Sequence, residues 1–173
     1  MGSLFFYLTA MKQEINLNFE SYGSWNELDV TDARLLQAAL DSASKAYAPY
    51  SRFRVGAAIL LEDGSVVCRN NQENASYPQG MCAERVALFS ASAQFPEKRI
   101  IALALVAKSS EMPLSPCGGC RQVLLEYEQR QNSPIRLLMG AANGSVIVLQ
   151  KAADLLPFSF SKENLNAVSK QAQ

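Results

Sequence analysis

Pro116-Cys117-Gly118-Gly119-Cys120-Arg121 is the stretch around which this chain is organised, and Met81-Cys82-Ala83-Glu84-Arg85 is its earlier counterpart. Apolar residues follow each stretch at helical spacing, so each is predicted to form the first turn of a helix. Cys117 and Cys120 are three residues apart, which places both thiols on one side of that turn. Free backbone N–H groups and the helix dipole at such a turn favour a thiolate over a thiol.

Two helix starts that face each other would present three sulfur atoms, from Cys82, Cys117 and Cys120, to one cation. Zinc suits this set, because it prefers tetrahedral sulfur coordination with Zn–S distances of about 2.3 Å. Structural zinc sites usually have a fourth protein ligand, whereas catalytic sites leave a position for water. Three cysteines therefore predict a catalytic site with one Zn²⁺ per subunit. The chain contains no histidine, so Glu84 is the residue best placed to carry protons.

These motifs resemble the three-cysteine signature of the small, homotetrameric cytidine deaminases. The resemblance runs from about Tyr50 to Phe160 and includes four further segments: Phe53-Arg54-Val55-Gly56-Ala57-Ala58, Asn71-Gln72-Glu73-Asn74-Ala75, Arg121-Gln122-Val123 and Leu155-Leu156-Pro157. It implies the hydrolytic deamination of cytidine and deoxycytidine to uridine and deoxyuridine, with release of ammonia. The sequence does not indicate which of the two nucleosides is preferred.

The resemblance also implies roles for residues around the metal. Glu84 would take a proton from the zinc-activated water and return protons to N3 and to the departing ammonia. Three thiolates on a dication leave one negative charge, which neighbouring donors must offset. Arg85 is the first such donor by resemblance, and Gln122 is the second. Arg121 is left open between a similar role and that of an ordinary surface cation.

Five positions are predicted by resemblance to bind substrate. Phe53 would lie beside the base, Asn71 and Glu73 would bind the sugar hydroxyls, and the backbone at Ala83 would face the base. Phe160 would enter a neighbouring subunit's site, so the homotetramer would share its active sites. The chain departs from the family by carrying Phe158 where a small residue is usual. Tyr77 is expected to pack at the subunit interface rather than to stack on substrate.

Length, composition and charge exclude several classes of protein. At 173 residues, 49% of them hydrophobic, the chain can form one domain with its own core. A formal net charge of zero argues against a nucleic-acid partner. No stretch is long and apolar enough to cross a membrane. The apolar stretch from Ser3 to Ala10 lacks the flanks of a signal peptide, so a cytoplasmic protein is expected. Met11 as an alternative start and the role of the leftover Cys68 stay open.

The predicted fold is a three-layer α/β/α, cytidine-deaminase-like domain of residues 31–173, preceded by an N-terminal extension of residues 1–30. Its sheet is mixed and five-stranded, and its last two strands are antiparallel because Asn143-Gly144 predicts a hairpin. Asn16 to Glu20 is left open between an added strand, a segment that lies over a neighbouring subunit and a mobile arm. The predicted elements are a helix from an N-cap at Thr31 to about Ala46, strands Arg54–Leu61 and Ser65–Arg69, a helix at about Cys82–Ala93, strand Ile100–Ala107, a helix at about Cys117–Gln129, strands Ile135–Met139 and Ser145–Leu149, and a short helix at Lys162–Ser169.

Three other readings compete with this interpretation. A structural zinc module would need a fourth ligand, and only Cys68 is available. A thioredoxin-like redox pair at Cys117 and Cys120 would leave Cys82 and Glu84 unexplained. Within the deaminases, the substrate could instead be a modified nucleoside such as an antibiotic, or a base within RNA. Asn71 and Glu73 favour a free nucleoside, and the balanced charge disfavours a polynucleotide.

Overall fold

The computed structural model describes residues 11–169, with side chains described as far as residue 165. The stretch from Ser3 to Ala10, predicted not to be a signal peptide, lies outside the described residues. The helices and strands are β1 (Glu20–Tyr22), α1 (Val30–Ala43), β2 (Val55–Leu61), β3 (Val66–Asn70), α2 (Ala83–Gln94), β4 (Ile100–Ala107), α3 (Gly118–Gln131), β5 (Arg136–Ala141), β6 (Val146–Leu149) and α4 (Lys162–Ser169). Short 3₁₀ helices lie at Trp25–Glu27, Tyr77–Gln79 and Ala152–Leu155.

The sheet has the strand order β1-β6-β5-β4-β2-β3. β4 and β5 are parallel, whereas every other neighbouring pair is antiparallel. The hairpin between β5 and β6 forms as predicted, with Leu138 opposite Val148 and Gly144 at a φ of 98° in the turn. The predicted mixed sheet with antiparallel last strands is therefore confirmed.

The predicted count of five strands is one too low. β1 adds a sixth strand at the edge of the sheet, where Ser21 lies opposite Ile147 of β6. Asn16 to Phe19 form no strand, and β1 shares only Glu20 with the stretch for which an added strand was considered. β1 is only three residues long, too short for an alternating pattern to reveal it. Residues 20–28 therefore belong to the packed structure, while the domain boundary at residue 31 stays a prediction.

Helix α1 begins earlier than predicted. Its N-cap is Asp29, not Thr31, because Asp29 Oδ1 accepts hydrogen bonds from the backbone N–H groups of Thr31 at 2.9 Å and Asp32 at 3.0 Å. The helix lies unusually close to the sheet at Gly56, where an added Cβ would be 1.9 Å from the carbonyl oxygen of Ala39. Glycine is therefore required at this position of β2.

The sheet separates two hydrophobic clusters. α1 covers one face, where Leu36, Ala39 and Leu138 pack together. α2 and α3 cover the other face, where Leu88 and Leu124 are fully buried. This is the predicted three-layer arrangement, and it brings both cysteine-bearing helices to the same face. No helix in residues 11–169 is long and apolar enough to span a membrane.

Glu128 fixes the far end of α3. Its buried carboxylate accepts hydrogen bonds from the backbone N–H groups of Ile135 at 2.7 Å, Ala152 at 2.9 Å and Ala153 at 3.0 Å. Burial raises the pKa of this carboxyl group, and the three donors partly offset that effect. One side chain thus joins α3 to the residue that precedes β5 and to the chain after β6.

Glu128→Ala is expected to lower the free energy of unfolding by about 3 kcal/mol, because the N–H groups of Ile135 and Ala153 lose their acceptor, whereas that of Ala152 keeps the Ile135 carbonyl oxygen at 3.0 Å. Glu126→Ala, an exposed site two residues earlier on α3, is the matched control and should change it by less than about 0.5 kcal/mol. Thermal and urea unfolding of the zinc-loaded proteins measure the difference. Equal losses in the two variants would contradict the assigned role of Glu128.

Candidate active site

The cysteines occupy equivalent positions on two helices. Cys82 is the N-cap residue of α2, and Cys117 is the N-cap residue of α3. Both have extended backbone conformations, and neither side chain caps its own helix. Their sulfur atoms are therefore free to point elsewhere. Cys120, in the first turn of α3, is fully buried.

The three sulfur atoms lie within 4.8 Å of one another. Cys117 Sγ is 3.5 Å from Cys120 Sγ and 3.9 Å from Cys82 Sγ. A disulfide would require about 2.0 Å, whereas two sulfurs bound to one tetrahedral zinc at about 2.3 Å are roughly 3.8 Å apart. The spacing thus fits shared coordination of one zinc ion, and a redox pair would leave Cys82 without a purpose.

Ionisation in this cluster is unequal. The pKa of the Cys82 thiol is lowered to about 5, first because the Cys120 thiol donates to it and then because Arg85 does. The pKa of Cys120 is raised, because its proton is shared with Cys82 and because it is buried. Without a cation, the thiolate form is therefore favoured at Cys82 and the thiol form at Cys120, and positive charge at the centre would favour ionisation of Cys120 as well.

Glu84 lies in the first turn of α2 and is only 4% exposed. Burial raises the pKa of its carboxyl group, and the negative charge of Cys82 raises it further. A carboxyl group with a raised pKa exchanges protons more readily near neutral pH than an ordinary glutamate does. Ala83, beside it, is the first residue of α2 and is fully buried.

Arg85 lies against the cluster as the resemblance implies. Its Nη2 donates to Cys82 Sγ at 3.6 Å. The guanidinium thus brings one positive charge next to Cys82 Sγ, the sulfur atom whose thiolate form is favoured. Its Nε is buried without a hydrogen-bond partner among the described residues.

Cys68 is separated from the cluster by the sheet. It lies on β3 opposite Ala58, and it packs against the hydrophobic residues between the sheet and α1. The other three cysteines lie at the starts of α2 and α3, on the opposite face. Among residues 11–169, Cys68 is not part of the group that could hold the metal, so the fourth ligand required by a structural zinc module is missing there.

Asn71 supports the segment that carries Phe53. Its Oδ1 accepts from the backbone N–H of Val55 at 2.9 Å, and its Nδ2 donates to the carbonyl oxygen of Phe53 at 3.0 Å. The Phe53 side chain is 40% exposed just before β2. Asn71 and Phe53, which sequence reasoning treated as separate substrate contacts, are therefore brought together.

Glu73 holds the preceding turn. Its carboxylate accepts from the backbone N–H of Tyr50 at 2.9 Å and from both the N–H and the hydroxyl of Ser51. These hydrogen bonds, chiefly that of the Ser51 hydroxyl, lower the pKa of Glu73. The Tyr77 ring, 75% exposed, packs edge-on against Tyr50 with centroids 6.0 Å apart. A cavity of about 390 Å³ opens here, lined by Tyr50, Ser51, Glu73, Asn74, Tyr77 and Gly80.

Gln122 and Arg121 point towards the C-terminal part of the chain. Gln122 Nε2 donates to the carbonyl oxygen of Phe160 at 2.9 Å rather than to a sulfur atom. Arg121 donates to the carbonyl oxygens of Pro116 at 2.8 Å and Leu155 at 3.0 Å. Arg121 is therefore not an ordinary solvated surface cation. The sequence left its role open because no spacing rule links residues 121 and 155.

A mixed sheet between helical layers, three clustered thiols at two helix starts and a buried glutamate beside them define a zinc-dependent deaminase. Residues 29–132 match the family model described as the cytidine and deoxycytidylate deaminase zinc-binding region. The chain belongs to the cytidine and deoxycytidylate deaminase family. The predicted family and the predicted zinc cofactor are both confirmed.

Named relatives support this assignment over most of their length. A cytidine deaminase of Halalkalibacterium halodurans is 40% identical over 132 residues, which span 76% of this chain and 96% of the relative. One from Mycobacterium tuberculosis is 41% identical over 73% of this chain and 87% of the relative. The crystal structure of cytidine deaminase from Burkholderia pseudomallei is similar with a TM-score of 0.66 and 43% identity, covering 73% of this chain and 97% of that one.

Among the four cysteines, only substitutions of the three clustered ones are expected to lower the zinc content. Cys82→Ser or Cys117→Ser is expected to lower bound zinc from one ion per chain to a small fraction, because zinc sites of this kind need every thiolate. Cys68→Ala is the matched control and should keep one zinc per chain. Elemental analysis of the purified proteins measures the stoichiometry. Loss of zinc from Cys68→Ala would favour a structural site with four ligands.

Proposed function

We propose that this protein hydrolyses the amino group of cytidine and deoxycytidine, which yields uridine and deoxyuridine plus ammonia, in pyrimidine salvage. The observation that carries the proposal is the group of three sulfur atoms with a buried glutamate, Glu84, on the same helix turn as Cys82. Relatives at about 40% identity named cytidine deaminase support the choice of substrate.

The proposed ligands of Zn²⁺ are Cys82, Cys117 and Cys120. The chemistry that the ion would supply in such a site is a pKa for its bound water that is lowered to about 7. Glu84 accepts the water proton and delivers it to N3 of the pyrimidine as oxygen adds to C4. Glu84 then takes the proton from that oxygen and gives it to the amino nitrogen, which leaves as ammonia. The raised pKa of Glu84 suits a group that must gain and lose a proton twice.

Arg85 is proposed to offset negative charge at the metal site. Three thiolates around a dication carry a net charge of minus one, which weakens attraction for a developing negative charge. The Arg85 guanidinium, 3.6 Å from Cys82 Sγ, offsets that excess and holds the sulfur in place. Gln122, implied by resemblance as a second donor, has its Nε2 on Phe160 in this chain.

Substrate would be bound by Phe53, Asn71, Glu73, Ala83 and Phe160. Phe53 offers an exposed ring face beside the base, and the Ala83 backbone at the start of α2 offers a polar group to it. Glu73 and Asn71 are proposed to bind the sugar hydroxyls, using acceptor and donor capacity that remains after they hold residues 50–55.

A homotetramer with shared active sites is the proposed assembly. Phe158 and Phe160 are 95% and 60% exposed on a single chain, and Tyr77 is 75% exposed. Rings this exposed are unfavourable in water and are typical of surfaces that a neighbour covers. We place Phe160 in the neighbouring subunit's site and Tyr77 at the subunit interface. Four free cysteines suit the reducing cytoplasm.

Glu84→Gln tests the proposed chemistry most directly. The amide keeps the shape of the side chain but cannot carry the proton, so turnover of cytidine should fall at least about a thousandfold. Zinc content should stay at one ion per chain. The decrease in ultraviolet absorbance on conversion to uridine measures turnover, and elemental analysis measures zinc. Equal turnover by the two proteins would remove Glu84 from the mechanism.

Sharing of active sites can be tested by complementation. Glu84→Gln and Phe160→Ala chains should each be poorly active alone. Coexpressed, they form mixed tetramers in which one chain supplies Glu84 and its neighbour supplies Phe160, so random mixing restores about one site in four. Activity no higher than the mean of the two separate variants would show that Phe160 serves its own subunit or none.

A further inference from the structure

Two consecutive side chains of α3 attach the cysteine-bearing turn to the C-terminal segment, defined here as residues 155–160. Arg121 Nη1 donates to the carbonyl oxygen of Leu155 at 3.0 Å, and Gln122 Nε2 donates to that of Phe160 at 2.9 Å. The two hydrogen bonds hold the two ends of the segment. The two donors are the two residues that come after Cys120 in the chain. The segment is therefore fixed to the helix turn that carries a proposed metal ligand.

Arg121 also fixes the chain on the other side of the cysteines. Its Nε donates to the carbonyl oxygen of Pro116 at 2.8 Å, and its Nη2 donates to Ser115 Oγ at 3.0 Å. Pro116 immediately precedes Cys117 and has no backbone N–H of its own to anchor the turn. One planar guanidinium thus has three differently placed acceptors, a set that the single ammonium of lysine does not reproduce.

The C-terminal segment has little regular structure to hold it otherwise. No helix or strand is formed between Leu155 and Lys162. Phe158 has a left-handed backbone conformation with φ of 56°, and its ring is 95% exposed. Pro157 lacks a backbone N–H. The position of Phe160 relative to helix α3 therefore depends strongly on the hydrogen bonds from Arg121 and Gln122.

We propose that Arg121 and Gln122 are positioning residues that place Phe160 for substrate binding, with Arg121 also setting the turn before Cys117. The inference rests on the proposed function and deepens it, because it gives Gln122 a role in binding rather than in tuning a ligand sulfur. Gln122 acts through Phe160 alone. Arg121 acts on the C-terminal segment and on the metal turn together.

Steady-state kinetics with cytidine separate these roles. Gln122→Met keeps the length of the side chain but removes its donor, and it should raise KM about fivefold, the equivalent of one hydrogen bond. Its kcat should stay within about twofold of wild type, and its zinc content should be unchanged. Arg121→Met should raise KM about tenfold or more and also lower kcat, because charge-assisted hydrogen bonds are lost on both sides. Arg130→Met, an exposed site on the same helix, is the control and should match wild type.

A double variant shows whether Gln122 acts through Phe160. Combined with Phe160→Ala, the change Gln122→Met should have no further effect on KM, because the ring that it positions is absent. Additive increases in KM would overturn the proposal. So would a fall in kcat or in zinc content at unchanged KM for Gln122→Met, which is the result expected of a donor to sulfur.

A measurement without substrate keeps this inference separate from the proposed function. In protein labelled with 4-fluorophenylalanine, the ¹⁹F resonance of Phe160 is assigned by its absence from Phe160→Leu. Gln122→Met should shift and sharpen that resonance, while Arg130→Met should leave it in place. An unmoved resonance in Gln122→Met would overturn the positioning role even in an active enzyme. Failure of wild type to deaminate cytidine would instead overturn the proposed function and leave this result standing.

Discussion

Three sulfur atoms packed within 4.8 Å of one another are the constraint on which the rest of this structure depends. Without a cation, the cluster favours one thiolate at Cys82 and keeps Cys120 protonated. A dication at the centre would favour the ionised thiols, and three sulfur atoms at this spacing suit Zn²⁺. The two helix starts, and the sheet that aligns them, are what keep the sulfur atoms at this spacing.

The same helix start that supplies Cys82 also buries Glu84. Because the carboxyl group is almost fully enclosed, its pKa is raised by loss of hydration, and the nearby thiolate adds to that effect. Arg85, on the same turn, opposes the accumulated negative charge from the Cys82 side. Four consecutive residues, 82–85, therefore provide the proposed metal ligand, the helix start, the proposed proton carrier and a counter-charge.

The features with a local sequence pattern could be predicted, whereas the contacts between residues distant in the chain could not. The two cysteine stretches and Asn143-Gly144 have local signals, a helix start and a hairpin turn, and these predicted the metal cluster and the antiparallel last strands. Strand Glu20–Tyr22 is only three residues long and pairs with β6, which lies far along the chain, so no local pattern predicts it. Likewise, Glu128 and Arg121 bind backbone groups 24 to 34 residues away, which no periodicity encodes.

The added strand β1 also changes how the molecule meets its surroundings. An exposed sheet margin with unpaired N–H and C=O groups is a template for uncontrolled association between chains. Here β6, an apolar strand of sequence Val-Ile-Val-Leu, has that margin covered by a three-residue strand that bears an acidic side chain, Glu20. The new margin is too short to recruit a further strand. Strand β1 thus shortens the length of β6 edge that is open to pairing with another chain.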